Sequence, residues 1–337
     1  MNLFLSALLK HELLKTDVFE QQIKSMPEIA KRYREIENSE KLKEYHMLDT
    51  MVTTDFFQTK KKKALQEKNG KQAWLRSEDG QQEQRYEELK KDADILFFQK
   101  TNVKDVERVE RLVPVMDDDC NWTKFESSDW KAGFVYPNDS FQKIHSYTNE
   151  LQAYGKGDNV DAQDSIMRIH TRKEFKNAPA WDAEKGMIMH DFDYTSDIIN
   201  NGIEMSRDGG LVMIKARCRG YVNHGAYLRS PKHLPLISIF DYTGFKMYCG
   251  LKTKNEPKEG WHLLKGFQPI PYVIFTVYWD KTDIIWFVNN MPVYRHANTL
   301  PAGEKLYLHL YSCLFKNQRR KGEGSLDIDW VKQYKFK

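Results

Sequence analysis

The stretch Pro235-Leu236-Ile237-Ser238-Ile239-Phe240-Asp241-Tyr242-Thr243-Gly244 is apolar, β-branched and aromatic and ends on a turn signal, so it reads as a buried strand. Strand side chains alternate between faces, which puts Leu236, Ser238 and Phe240 together if the strand is unbroken. A one-residue bulge after Ile239 exchanges Phe240 for Asp241 on that face. In either case the strand aims at most one carboxylate inward, that of Asp241.

Outward from this strand, short β-like runs recur with turn clusters between them, at 165–172, 210–217, 273–279, 284–288, 305–312 and 325–334. Many short strands without intervening helices mean a sandwich or jelly roll. Residues 1 to about 112 have another texture, rich in Lys, Glu, Gln and Leu. Leu5, Leu8, Leu9, Leu13 and Leu14 form an amphipathic stripe, and Ile36, Leu42, Tyr45, Leu48 and Met51 form a second. Pro27 sits where a new helix could start. Tyr45, Leu48 and Phe56-Phe57-Gln58 are echoed 41 residues later by Tyr86, Leu89 and Phe97-Phe98-Gln99, as in a helical hairpin repeat. The texture changes near Asp117-Asp118-Asp119, so the expected division is 1–112, a helical region suited to docking or assembly, and 113–337, a β domain.

Composition narrows the function classes. The chain has 337 residues, 40% hydrophobic and 30% charged, enough for a sizeable core. A mean hydropathy of −0.70 argues for a soluble protein. Lys plus Arg number 52 against 48 Asp plus Glu, a near balance that gives no nucleic-acid footprint. The run Lys60-Lys61-Lys62-Lys63 reads as a solvated loop or helix end, because acidic residues flank it. Cys120, Cys218, Cys249 and Cys313 lack metal-site spacing and read as buried thiols of a reducing compartment. His145, His170, His190, His224, His233 and His296 show no ligand spacing, and no P-loop, dinucleotide or nucleophile-elbow motif occurs. The N-terminus lacks the pattern of a secretion signal, which implies cytoplasmic synthesis, and no run is long enough for a membrane span.

Several segments carry a family resemblance by their order. Tyr147-Thr148-Asn149-Glu150-Leu151-Gln152-Ala153-Tyr154 contains N-E-x-Q-x-Y; Tyr194-Thr195-Ser196 and Gly202-Ile203-Glu204 follow. Val277-Tyr278-Trp279-Asp280 leads into Ile284-Ile285-Trp286-Phe287-Val288-Asn289, and Leu326-Asp327-Ile328-Asp329-Trp330-Val331 comes near the end. In this order they resemble glycoside hydrolase family 16, the laminarinase-like β-glucanases, over roughly residues 120–337. The resemblance implies a concanavalin A-like jelly roll. The chain is therefore expected to be an α+β multidomain protein, a helical N-terminal region followed by an all-β jelly-roll sandwich.

The strand at Pro235 is similar to the family's catalytic pattern P-E-I-D-x-x-E, and its nucleophile, helper and acid/base positions read Leu236, Ser238 and Asp241. Retaining glycosidases need two carboxyl groups about 5–5.5 Å apart. Leucine supplies none, and Asp241 is a methylene shorter than Glu, where misplacement by about 1 Å can cost about a hundredfold in rate. The expectation is a retained fold with dismantled chemistry: no catalytic residue, and a protein that is not an enzyme. For glycan binding the resemblance points to Tyr147, Trp181, Tyr242 and Trp261 as sugar platforms with Asn149 as polar partner; Trp279, Trp286 and Trp330 read as core. Asp329 falls where the family often places a structural calcium, although calcium wants six to eight oxygens and only this one is identified. No other cofactor is implied.

The leading expectation is thus a non-catalytic carbohydrate-binding or structural protein that contacts a polysaccharide or surface glycan. A bacteriophage virion component, docked to virion proteins through its N-terminal helices, reconciles an extracellular glycan with synthesis in the cytoplasm. One alternative is a weak β-glycan hydrolase using Asp241 as acid, with activated water or another nucleophile; Glu204 and Asp208 are near in sequence. Another is an intracellular interaction scaffold with no sugar ligand. Exposed cleft aromatics favour a sugar ligand, and a cleft plugged by side chains favours the scaffold.

Overall fold

The computed structural model describes residues 16–137, 143–254 and 261–337. The stripe Leu5, Leu8, Leu9, Leu13 and Leu14 and the reading of the N-terminus lie outside the described residues. The chain divides into two units, Gln22–Arg111 and Leu112–Lys337, and Thr16–Gln21 is counted with the second. The expected division fell at 112/113.

Helices α1 (Thr16–Glu37), α2 (Glu40–Val52), α3 (Asp55–Gln66), α4 (Gly70–Arg76), α5 (Glu78–Leu89), α6 (Ala93–Lys100) and α7 (Val103–Arg111) lead the chain. Three of them start at hydroxyl caps: Ser39, Thr54 and Ser77 accept from the amides of Leu42, Phe57 and Gly80 at 3.2, 3.2 and 3.1 Å. Pro27 does not start a helix but lies inside α1. Proline removes one helical hydrogen bond, and the following turns bury Ala30, Tyr33 and Ile36. The 41-residue echo has a packing meaning: the rings of Tyr45 and Tyr86 stack at 5.7 Å, and Leu48 and Leu89 share one core cluster. The lysine run belongs to α3, where Lys60 pairs with Asp79, and Lys61 with Glu83 at 2.5 Å. No described helix is long and apolar enough to cross a membrane.

The strands follow as β1 (Leu112–Asp118), β2 (Lys131–Ala132), β3 (Ser146–Tyr147), β4 (Gln152–Tyr154), β5 (Val160–Gln163), β6 (Ile166–Thr171) and β7 (Lys176–Asp182). Next come β8 (Gly186–Phe192), β9 (Tyr194–Ser196), β10 (Ile198–Ser206), β11 (Gly209–Gly220), β12 (Asn223–Arg229), β13 (Leu236–Tyr242) and β14 (Met247–Lys252). The last are β15 (Trp261–Leu264), β16 (Val273–Asp280), β17 (Asp283–Val288), β18 (Met291–Ala297), β19 (Lys305–Cys313) and β20 (Gly324–Phe336). All six β-like runs of the sequence are strands.

Two sheets form the sandwich. One runs β18-β17-β16-β11-β20-β6-β5 with β1 on β20; the other runs β15-β14-β13-β12-β19-β10-β2. Their inner faces share one core, to which Val212, Val277, Trp279, Trp286 and Ile328 come from the first sheet and Leu228, Ile237, Phe240, Met247 and Leu308 from the second. Trp279 and Trp286 keep their indole N–H satisfied by the carbonyls of Ser206 and Ser238 at 2.9 and 2.7 Å. Trp330 is buried too, but its neighbour Val331 takes the core side, and its indole donates to Glu20 at 3.1 Å. All four cysteines are free and buried.

Candidate active site

Alternation decides which side chains reach the outer face of the seven-stranded sheet. In β19, Leu306, Leu308 and Leu310 fill the core, so Tyr307, His309 and Tyr311 point outward; in β12, Ala226 and Leu228 point in, and Gly225, Tyr227 and Arg229 point out. On β13, Ser238 pairs with Tyr227 but Phe240 pairs with Ala226, so Ile239 is an extra residue. This bulge turns Phe240 onto Phe275, ring centroids 4.2 Å apart, and brings Leu236, Ser238 and Asp241 onto one outer face.

Register then sets the neighbours. One rung reads Trp261, Gly250, Ser238, Tyr227, His309, and the next reads Leu263, Tyr248, Asp241, Gly225, Tyr311. A third sets Lys252, Leu236, Arg229 and Tyr307 side by side. Tyr311 donates its phenol to Asp241 Oδ1 at 3.1 Å. Gly225 makes that possible: a Cβ there would lie 2.5 Å from the Tyr311 ring. Burial pushes the half-buried Asp241 carboxyl up to about 6, against the lowering effects of the Tyr311 bond and Lys252. Tyr227, Tyr248, Trp261 and Tyr311 around it keep part of their surface exposed.

At the Leu236 end, the buried Arg229 guanidinium lies 4.6 Å from the Phe134 ring and donates to His233 Nδ1 at 2.5 Å. Burial, reinforced by Arg229, lowers His233 to about 4 and His309 to about 3, so both are neutral near pH 7. A second carboxyl, Glu150, is held by the Tyr147 amide at 2.8 Å and the Tyr154 phenol at 3.3 Å, and burial pushes it up to about 7.

The expected glycan residues divide. Trp261 shares the Ser238 rung. Tyr147 joins a partly buried aromatic cluster with Tyr227 and Tyr311. Trp181, 40% exposed, sits beside Tyr147 on β7 of a separate three-stranded sheet, and Asn149 is an exposed turn residue whose carbonyl accepts from the Lys316 amide. Tyr242 is a correction: once the bulge turns Asp241 outward, the next residue must face inward, and Tyr242 is buried in the core with its phenol donating to the Gly244 carbonyl at 2.8 Å. Asp329 pairs with Lys215 at 2.7 Å, a chain cation that Glu20 also binds at 2.7 Å; among the described residues no cluster of three metal-ligating side chains occurs. Glu204 is engaged by Lys305 at 2.9 Å, and Asp208 is exposed in a turn. Sequence reasoning missed Tyr227, Tyr248, Arg229, Tyr311 and the carboxyl of Glu150; the Leu/Tyr/His alternation of 305–313 carried a signal for Tyr311.

No protein-family model matches the chain, and no curated protein is similar to it. Solved structures share its fold. The laminarinase catalytic domain from Thermotoga maritima MSB8 superposes with a TM-score of 0.51 at 16% identity, over 67% of this chain and 99% of its own. LamAcat from Zobellia galactanivorans gives 0.52 at 17%, over 67% and 99%. A non-specific endo-β-1,3(4)-glucanase of glycoside hydrolase family 16 gives 0.53 at 18%, over 67% and 92%. The fold is therefore the jelly roll of that family, preceded by helices. The expectation of a non-enzyme is corrected by the same finding, since the solved relatives of the fold are glycan-hydrolysing enzymes.

Proposed function

We propose that the outer face of the seven-stranded sheet hydrolyses a β-glycan, with Asp241 as the proton donor to the leaving oxygen. The observation that supports this best is Asp241 itself: a half-buried carboxyl raised to about 6, steadied by Tyr311 and set among the partly exposed rings of Tyr248 and Trp261. A general acid works best with a pKa near the operating pH, and aromatic rings suit the apolar face of a pyranose. The shared fold with endo-glucanases adds weight.

Leu236 and Ser238 supply no second carboxyl, and Glu150, 4% exposed, has its oxygens taken up by the Tyr147 amide and the Tyr154 phenol. Glu204 is on β10, three strands from β13, or about 14 Å at the usual strand spacing, beyond the reach of a retaining or inverting pair. Water is therefore the attacking group: its oxygen bonds to the anomeric carbon as Asp241 protonates the departing oxygen, and the proton released by water goes to solvent and restores Asp241. With one carboxyl doing the work of two, turnover is slow.

Reducing-end release by the full chain from laminarin and mixed-linkage β-glucan tests the proposal. Asp241→Asn is expected to lower the rate by about 10²-fold or more, and the wild-type rate to fall as pH rises through about 6. Absence of release by the wild type, or an undiminished rate in Asp241→Asn, overturns it.

A further inference from the structure

A cavity of about 780 Å³ opens where the β13–β14 turn meets the β11–β12 turn and Arg320, within the usual size range of small-ligand sites. Two of its walls are glycine turns. Gly220 and Gly244 sit at φ +83° and +81°, and a Cβ at Gly220 would meet the Glu323 carbonyl at 2.3 Å. Side chains pin both turns: Tyr242 donates to the Gly244 carbonyl, and Gln318 Nε2 to the Tyr221 carbonyl, each at 2.8 Å.

The lining joins surplus positive charge to a flat apolar surface. Arg217 and Arg219 both direct Nε to one oxygen of the fully buried Asp327, at 2.9 and 3.0 Å. Two guanidiniums on one carboxylate leave a positive charge over, with their Nη edges as further donors. Arg320 adds a second charge, since it donates to a neutral acceptor, the Tyr221 phenol, at 2.9 Å. Tyr221 and Phe245, 43% and 39% exposed, stack at 5.3 Å, and the Arg320 guanidinium lies 5.0 and 5.5 Å from their ring centres.

We propose that this cavity is an accessory site for an anionic sugar, a pyranose bearing a carboxylate or a sulfate. Guanidinium edges suit an oxyanion bidentately, and the Tyr221–Phe245 pair suits the apolar face of the ring that bears it. The charge suits an anion by itself; the choice of a sugar rests on the glycan reading of the neighbouring face. Asp241 and Tyr242 are adjacent on β13, Asp241 on the outer face and Tyr242 at the cavity wall.

Calorimetric titration of the full chain with oligogalacturonate, with sulfated dextran oligosaccharide, with neutral dextran oligosaccharide and with a single-stranded oligonucleotide tests this. At least one charged sugar is expected to bind tenfold or more tightly than the neutral one, and the arm that binds identifies carboxylate or sulfate. Arg320→Ala with Phe245→Ala, both exposed positions, is expected to weaken that binding tenfold or more with an unchanged circular dichroism spectrum; Tyr221→Ala does the same if the double variant fails to fold. Lys62→Ala, which removes the same single charge in the helical unit, is expected to leave it unaltered. Equal binding of the neutral sugar, equal or tighter binding of the oligonucleotide, retention by the cavity variants, or equal loss in the lysine control overturns the assignment. Asp241→Asn is expected to keep the binding. Intact binding without hydrolysis by the wild type therefore overturns the hydrolase proposal alone, and hydrolysis without binding overturns this one alone.

Discussion

The helical unit keeps its shifted carboxylates in surface ion pairs, whereas the jelly roll, beside surface pairs such as Glu204 with Lys305, also buries some. In the first, carboxylates meet cations at the surface: Glu44 faces Arg85 at 2.9 Å and Asp94 faces Lys41 at 2.9 Å, and hydrogen bonds from Arg85 to Glu44 and from Arg32 to Asp94 hold both below the ordinary carboxylate range. In the jelly roll, burial pushes Glu150, Asp197 and Asp241 up, to about 7, 6 and 6. Surface pairing costs little and contributes little; keeping a carboxyl protonatable near neutrality requires a scaffold that withholds water from it. The contrast separates a unit whose shifted carboxyls stay ionised from one that keeps three of its own protonatable near neutrality.

The comparison breaks first if the helical unit turns out to serve the chemistry. Leu89→Ala removes a 2%-exposed side chain from its core and is expected to cost about 2–5 kcal/mol in the unfolding of that unit. Hydrolysis at a temperature where the unit stays folded should be unchanged, and a parallel loss of activity would join the two units functionally. A change of similar size in the other unit should do the reverse. Gly225→Ala drives a methyl into the Tyr311 ring, costing about 1–3 kcal/mol by denaturant melting and lowering hydrolysis because Asp241 loses its phenol. Unaltered turnover in a folded Gly225→Ala protein would show that the Tyr311 contact is dispensable. The smallest effect sharpens the comparison: Tyr311→Phe removes a hydrogen bond that lowers Asp241. Burial then acts with less opposition, the carboxyl rises, and the alkaline fall in rate should move to higher pH. A shift to lower pH would assign the proton donor elsewhere.

Much of the fold was legible because it is written in local periodicity. The alternation in 305–312 and 325–334 needed no partner to be read, and the Ile239 bulge was one of two outcomes that the residues around Asp241 allowed. That bulge also implied that Tyr242 faces the core, a consequence of strict alternation that choosing Tyr242 for its aromatic ring passed over. The site was less legible because its contacts are non-local. Asp241, Gly225 and Tyr311 meet through the register of three strands, and register depends on turns and bulges elsewhere. Asp329 illustrates the same limit: its ammonium partner, Lys215, comes from a neighbouring strand. The place of Pro27 was misread because packing in later turns outweighs one missing hydrogen bond.

The distribution of the four buried thiols gives the two units different visibility. Cys120, Cys218, Cys249 and Cys313 all belong to the jelly roll, and the helical unit has none. Only the thiolate reacts with alkylating agents or disulfide reagents, and burial pushes each of these thiols above its ordinary value. The native chain is therefore silent toward such reagents, and each alkylation event counts an opening of the sandwich. The helices can fray and reform unseen by that chemistry, so a cysteine placed on their exposed surface would give one addressable handle without removal of any native thiol.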